Sequence, residues 1–222
     1  LGDVYKRQIQ WGNHDISWMG AATGNPACVC NVLRIAISYN SFDVLEDGYG
    51  INLLPLATFA VNTYREDPCT CFKLRGGGIY NAKEMEADLK MHKAISIIQF
   101  KVEGQIIKAH PEMGLEDRNL LHRIDYEKGT IFLDGKEYTL LDTNFPTIDP
   151  ADPYTLTAEE ADIMERLERA FLNCERLQRH MRFLLSRGSL YKVYNGNLLY
   201  HGCVPLNEDG TLKTVTVCGG RY

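Results

Sequence analysis

Two short stretches carry residue types that could do chemistry together. The first is Gly12-Asn13-His14-Asp15. A strand ending at Ile9 and Trp11 and turning at a glycine presents an amide oxygen, an imidazole and a carboxylate side by side. The neutral amide oxygen suits a hard or borderline divalent cation. The imidazole suits proton donation to a leaving oxygen. The carboxylate can orient that imidazole or cap the helix that follows. The bland reading of the same tetrapeptide is a turn with Asn13 in the left-handed region and Asp15 as a helix cap. The second stretch is Leu198-Leu199-Tyr200-His201-Gly202-Cys203-Val204-Pro205, an apolar strand ending in His-Gly. There an imidazole can meet a cleft while the strand stays covered, although a lone strand-end His is more often just a satisfied hydrogen-bonding residue.

The elements that must position these residues are written along the chain. Ala27–Tyr39 is predicted helical, with Pro26 at its first turn and Val29, Leu33, Ala36 and Ile37 at helical spacing. Leu53–Tyr64 is a second apolar helix, stopped by the polar Arg65–Pro68 run. Gly76-Gly77-Gly78 reads as a flexible joint before a third helix, Asn81–Phe100, whose Glu84, Asp88 and Lys93 side is expected to face solvent. Thr130–Leu133 and Lys136–Leu141 flank Asp134-Gly135 as a hairpin, and Asp142–Pro153 is a proline-rich connector. Thr157 with Glu160 forms a capping box ahead of one long helix. Its apolar stripe runs through Ile163, Met164, Leu167, Phe171, Cys174, Leu177, Met181 and Leu184 to Gly188. A second hairpin turns at Asn195-Gly196, and its return strand leads into His201. Thr214–Cys218 reads as a last strand with no partner after it.

The 222 residues carry a formal net charge of −5 and 45% apolar side chains. That fits one large or two small globular domains and leaves no broad basic surface for nucleic acid or anionic lipid. A phosphorylated substrate therefore needs local positive charge, from metal ions or a few placed Arg and Lys. No apolar run approaches the ~18 residues of a membrane span. No leader pattern opens the chain, so a cytoplasmic location is expected, with no membrane partner. The seven cysteines read as reduced thiols, and the Cys28/Cys30 and Cys69/Cys71 pairs have tighter spacing than zinc sites favour. His92, His110, His122 and His180 take bland readings: His180 as a surface residue, His110-Pro111 as a turn. Arg118 and Arg123 could meet a phosphate but read first as surface charge.

Several longer stretches make the motifs more specific. Trp11–Ala22 (WGNHDISWMGAA), Glu46–Leu53 (EDGYGINL), Asp67–Phe72 (DPCTCF), Ala109–Met113 (AHPEM) and Leu199–Leu206 (LYHGCVPL) with Asp209-Gly210 resemble the class III fructose-1,6-bisphosphatases of bacteria. The tetrapeptide and the later His-Gly are generic to calcineurin-like metallophosphoesterases; the combination is similar to this family alone. The resemblance implies an α/β fold, a partial calcineurin-like sandwich with a large helical insertion, truncated at both ends. It implies two divalent metals ~3.5–4 Å apart, usually manganese, with Asn13 and His201 as ligands of one of them. His14 is then the proton donor and Asp15 its support. The implied reaction is hydrolysis of the 1-phosphate of fructose 1,6-bisphosphate to fructose 6-phosphate, in gluconeogenesis. An Asp-x-His and a Gly-Asp-x-x-Asp-Arg motif before Trp11, and a Gly-His-x-His-like motif after Tyr222, are missing from the chain. It thus holds ligands for about one metal and is expected to be inactive alone.

Residues 1–8 read as foreign, since Asp3–Gln8 match the translation of a transposase sequencing adapter. Residues 9–42 are expected to start the phosphoesterase core. Residues 43–153 form a mostly helical insertion with one hairpin, and residues 154–222 the long helix and returning core strands. Two other functions fit less of the sequence. One is a related phosphoesterase acting on phosphoproteins or nucleotides. The other is a non-catalytic module docking a partner along Ile163–Leu184, a stripe more economically explained as core. A homo-oligomer is left open.

Overall fold

A computed structural model describes residues 8–75, 82–214, 216–217 and 219–221. The predicted glycine joint at 76–78 and residues 1–7 of the segment expected to be foreign lie outside the described residues. The chain begins with strand β1 (Ile9–Gln10) and helices α1 (Asn13–Ala22) and α2 (Pro26–Ser38). A π-helical turn (Val44–Gly48), α3 (Leu54–Thr63) and the long α4 (Ala82–Ala109) follow. Three single-turn 3-10 segments lead to a small antiparallel sheet of β2 (Ile124–Asp125), β3 (Thr130–Leu133) and β4 (Lys136–Thr139). Then come α5 (Ala158–Asn173), α6 (Glu175–Arg187), β5 (Gly188–Ser189), the hairpin β6 (Tyr191–Tyr194) and β7 (Asn197–Tyr200), and the short pair β8 (Thr216–Val217) and β9 (Gly220–Arg221).

The helix starts follow their sequence signals. The Asn25 side chain accepts the Cys28 N–H ahead of Pro26. Thr157 Oγ1 accepts the Glu160 N–H while Glu160 Oε2 accepts the Thr157 N–H, the predicted reciprocal cap. Both hairpins turn through two left-handed residues, Asp134-Gly135 and Asn195-Gly196, matching the right-handed twist of their strands. Asn and Asp tolerate that conformation better than other side chains, and glycine tolerates it freely.

One hydrophobic core joins all three predicted chain regions. Leu33 and Ile37 of α2, Leu56 of α3, Ile95 and Ile98 of α4, and Phe171 of α5 are fully buried in it. Gly20 lets α1 cross α2 closely, because a Cβ there would fall 2.4 Å from the Cys28 sulfur. The stripe from Ile163 to Met181 lies in this core, as economy suggested.

The mixed α/β class holds, but the described strands form sheets of only two or three strands. None of them, among the described residues, is the larger sheet from which the implied sandwich would be built. Three finer expectations are corrected. The third helix runs on to Ala109, well past Phe100. The long helix breaks at Cys174, which is extended (φ −76°, ψ 97°). No proline or glycine causes the break; tertiary hydrogen bonds do. The Gln178 side chain donates to the last carbonyls of two helices, Ala22 O (2.6 Å) and Leu172 O (3.1 Å). The Cys174 thiol donates to Tyr49 O, and Arg176 to Gly48 O. A continuous helix would leave those helix-end acceptors without these donors. Finally, Thr216–Val217 does have a neighbour, pairing antiparallel with Gly220–Arg221.

The largest correction concerns Lys93. It is fully buried rather than solvated. Its ammonium bonds Asp67 Oδ2 at 2.5 Å and Asp142 at 2.7 Å, and three rings, Tyr64, Phe72 and Phe145, lie 5.1–5.8 Å from it. Lys101, also fully buried, bonds Glu160 Oε2 (2.7 Å) and Thr147 O (2.5 Å). Burial alone would raise the Asp67 carboxyl. Hydrogen bonds from Lys93, the Cys69 N–H and the Asn144 amide outweigh it and hold the group at about 2. Its folded value lies below its unfolded one, so its contribution is full above about pH 4 and is lost as the pH falls towards 2. Urea unfolding should therefore show stability dropping through that window, and Asp67→Asn should flatten the drop. Lys93→Ala strands two carboxylates and should cost ~3–5 kcal/mol at neutral pH. The triple replacement Lys93→Met, Asp67→Asn, Asp142→Asn should recover part of that loss in the same measurement.

Candidate functional site

Gly12-Asn13-His14-Asp15 is neither a free turn nor a left-handed one. Gly12 is the extended cap (φ −89°, ψ 172°), and Asn13 and His14 are the first residues of α1. Asp15 takes the capping alternative, its Oδ2 accepting the Gly12 N–H at 2.8 Å. That bond closes the first turn and leaves the Asn13 and His14 side chains exposed at the helix start. Ser17 adds a second tie by donating to the Asn13 carbonyl at 3.2 Å.

β1 fixes where this turn sits. It runs parallel to β5, Ile9 opposite Gly188 and Gln10 opposite Ser189. The Trp11 N–H bonds Ser189 O and its indole N–H bonds Leu184 O, each at 3.0 Å. Gly188 is required there, because a Cβ would come 2.1 Å from the indole nitrogen.

The β6–β7 hairpin then returns the chain to the same place. The His201 ring lies directly on Gly12: a Cβ built at 12 would fall 2.9 Å from Nε2 and 3.0 Å from Cδ2. The two motifs, at opposite ends of the sequence, therefore meet at the start of α1. Asn13 follows the residue that His201 covers. Among the described residues, no group of three or more His, Cys, Asp and Glu side chains gathers in a way that could hold a metal. The donors at this point are one amide oxygen and one imidazole, both exposed and of types that can ligate a divalent cation.

Two cavities flank His14. One, of about 200 Å³, is mainly apolar and is lined by Trp18, Val32, Ile35 and Val44 among others. Trp18 stacks at a tilt on Tyr49 (5.4 Å) and Phe171 (6.0 Å), which ties α1 to the core. The other, of about 660 Å³, runs from Asn13 and His14 past Arg34, Lys73 and Arg75 to His92. Its size suits a small ligand. Burial lowers the His92 pKa, and the charges of Arg34 and Arg75 lower it further against a hydrogen bond to the Phe72 backbone. His92 is therefore neutral near pH 7.

Sequence reasoning passed over these cations. Arg34 looks like the polar side of an amphipathic helix, and Lys73 and Arg75 belong to a loop with no motif. The residues it weighed for phosphate, Arg118 and Arg123, lie in 3-10 turns; Arg123 lines a separate cavity with His122 and Tyr154. Several stretches of the resemblance prove to be scaffold. Glu46–Leu53 carries the Tyr49 and Gly48 carbonyls that hold α6. His110 pairs with Glu112 at 3.0 Å, and Asp209 caps its own turn through Thr211. Burial pushes the Cys28 and Cys30 thiols up, and burial with the Asp67 charge takes Cys69 to about 12. All three are therefore protonated at neutral pH, as expected of thiols that serve packing.

Known proteins can now be set against this geometry. The sequence profile of the family described as Firmicute fructose-1,6-bisphosphatase matches residues 1–222. The chain belongs to this family. It is 60% identical over 240 residues to the class 3 fructose-1,6-bisphosphatase of Clostridium novyi (strain NT), covering 100% of this chain and 36% of that protein. It is 55% identical over 225 residues to the class 3 enzyme of Bacteroides fragilis, covering 100% and 34%. With that of Alkaliphilus metalliredigens it shares 56% over 219 residues, covering 98% and 33%. The chain thus spans about a third of the length of the curated relatives it matches. No solved structure matches it. No helix among the described residues is long and apolar enough to cross a membrane.

The contact between His201 and Gly12 can be tested by itself. Serine is a good helix cap but carries a Cβ, so Gly12→Ser in the full-length protein should change stability by less than ~1 kcal/mol. The same change must push the His201 ring off α1. Peptide-mapped modification of His201 by diethyl pyrocarbonate should become faster, with the unfolding midpoint nearly unmoved.

Proposed function

We propose that the full-length protein hydrolyses fructose 1,6-bisphosphate to fructose 6-phosphate and phosphate, serving gluconeogenesis in the cytoplasm, and that this segment supplies one side of its active site. Family membership supports the reaction class. The seating of the His201 ring on Gly12, beside Asn13 and His14, is the observation that carries the site. The calcineurin-like architecture remains part of this proposal, with the small β1–β5 pair as its local trace.

Asn13, through its amide oxygen, and His201, through an imidazole nitrogen, would hold one manganese ion. When bound, manganese supplies charge that polarises a phosphoryl group and acidifies a water. His14 donates a proton to the oxygen on C1 of the sugar as its bond to phosphorus breaks, so that the departing group is an alcohol and not an alkoxide. Asp15 acts at one remove, by closing the turn that carries both Asn13 and His14. Trp18 and Gly20 seat the same helix on the core, so the turn is presented from a well-packed element.

The test uses the full-length protein, phosphate release and added manganese. Fructose 1,6-bisphosphate should be hydrolysed in preference to phosphopeptides and nucleotides. His14→Gln should lower kcat by ~10²–10⁴-fold while manganese binding, followed by calorimetry, is retained. Asn13→Ala with His201→Ala should weaken manganese binding and abolish turnover together. Full activity in that double variant would falsify the assigned roles, and a preference for phosphopeptides or nucleotides would move the protein to another branch of phosphoesterases.

A further inference from the structure

The cleft of about 660 Å³ beside His14 has an unusual electrical character for a chain of net charge −5. Arg34, Lys73 and Arg75 line it, and among the described residues no Asp or Glu does. None of the three cations is ion-paired with a described carboxylate. Arg34 is held by neutral acceptors instead, its Nε donating to Gln99 Oε1 at 2.8 Å and its Nη2 to Asn31 Oδ1 at 3.1 Å. Those bonds fix the guanidinium plane without neutralising it and leave further N–H donors free. A cavity lined by one sign of charge concentrates ligands of the other.

A run of hydrogen bonds sets Arg34 in register with the proposed reaction centre. The Asn31 amide donates to Ser17 Oγ at 2.8 Å, and the Ser17 hydroxyl donates to the Asn13 carbonyl. The same Asn31 accepts from Arg34. Asn13 at one end and the guanidinium at the other are thus linked through two side chains. Across the cleft, the Arg75 N–H bonds Ser38 O at 2.6 Å, which pins the loop bearing Lys73 and Arg75 to the end of α2. His92 closes the inner wall. It is 9% exposed, and its Nδ1 has no partner among the described residues. Because the ring's other nitrogen donates to the Phe72 backbone, Nδ1 of the neutral ring is an acceptor, suited to a sugar hydroxyl.

We infer that this cleft binds the phosphate that is not hydrolysed, the one on C6 of the sugar, with Arg34, Lys73 and Arg75 as its grip. The assignment rests on the proposed reaction for the identity of the sugar, but its chemistry does not: a phosphomonoester or inorganic phosphate would be recognised by the same three cations. With this grip, the enzyme distinguishes a bisphosphate from a monophosphate by binding energy spent away from the reacting bond.

The experiment pairs kinetics with metal-free binding, using the full-length protein. Arg75→Met with Lys73→Met changes two exposed side chains, so folding should be undisturbed; Arg34→Met removes the third. For fructose 1,6-bisphosphate, KM should rise by at least ~10-fold in each variant with kcat little changed. For fructose 1-phosphate, which lacks the second phosphate, both constants should stay at wild-type values. Separately, calorimetry in EDTA should show fructose 6-phosphate binding to the wild type and not to the variants. An equal loss on both sugar phosphates, or fructose 6-phosphate binding that is absent in the wild type or unchanged by the substitutions, overturns the cleft assignment. If the wild type binds fructose 6-phosphate through these residues but does not hydrolyse the bisphosphate, the cleft stands and the proposed reaction falls.

Discussion

Lys93 and Lys101 lie just over two turns apart on α4, and neither side chain reaches solvent. An ammonium buried without partners costs several kcal/mol, so a helix carrying two of them can pack only where carboxylates are waiting. Lys93 finds Asp67 and Asp142; Lys101 finds Glu160 and a carbonyl. Each pairing gathers chain from a different region: the loop after α3, the connector after β4, and the first turn of α5. Glu160 works twice, since the oxygen that meets Lys101 also caps α5 through the Thr157 N–H. The basic cleft follows from the same constraint. Asp67 sets the Cys69 turn through the Cys69 N–H (2.8 Å), with Cys69 left-handed at φ 49°. That turn delivers Phe72 edge-on to His92 at 5.7 Å and sends Lys73 and Arg75 along the cleft.

Much of the fold was legible because its signals are local. Asn25-Pro26 and Thr157 with Glu160 start helices by chemistry confined to one turn, and Asp134-Gly135 and Asn195-Gly196 turn hairpins by backbone preference alone. What was not legible depends on distant partners. Lys93 has the spacing of a surface residue; only Asp67 and Asp142, brought together by folding, make its burial tolerable. Cys174 sits on an unbroken apolar stripe, and helix propensity favours continuing through it. The break comes from acceptors on Tyr49, Gly48 and Ala22, which no window around residue 174 contains. Phe100 has no stop signal after it, and α4 simply continues because Val102 and Ile107 still bury against neighbours.

The site divides the same way. The residue types alone left the bland readings of Asn13, His14 and His201 open; they could be picked out because the stretches around them resemble a known phosphatase family, and the structure brings the two motifs into contact. The role of Asp15 needed coordinates, since orienting the imidazole and capping the helix look alike in sequence. The cationic wall was invisible for a stronger reason. Arg34, Lys73 and Arg75 are ordinary surface types in one dimension, and their meaning comes from the lack of a carboxylate beside them among the described residues.

The two sides of the site are also held by forces of different size. The wall bearing Arg75 traces back through Phe72 and Asp67 to a buried ion pair whose loss costs several kcal/mol. His201 arrives by another route, at the end of a ribbon whose Tyr191, Val193 and Tyr194 are 60–62% exposed. A two-stranded ribbon with little burial is marginal by itself. Its placement depends on two close approaches that only glycine permits, Gly188 under the Trp11 indole and Gly12 under the imidazole. The imidazole over Gly12 can swing aside, whereas Gly188 is also confined by the Leu184 carbonyl, 2.7 Å from where a Cβ would fall. A site built in this way has a cationic cleft formed by the core and an imidazole left adjustable, which fits the proposal that the imidazole closes on a ligand rather than standing ready before it arrives.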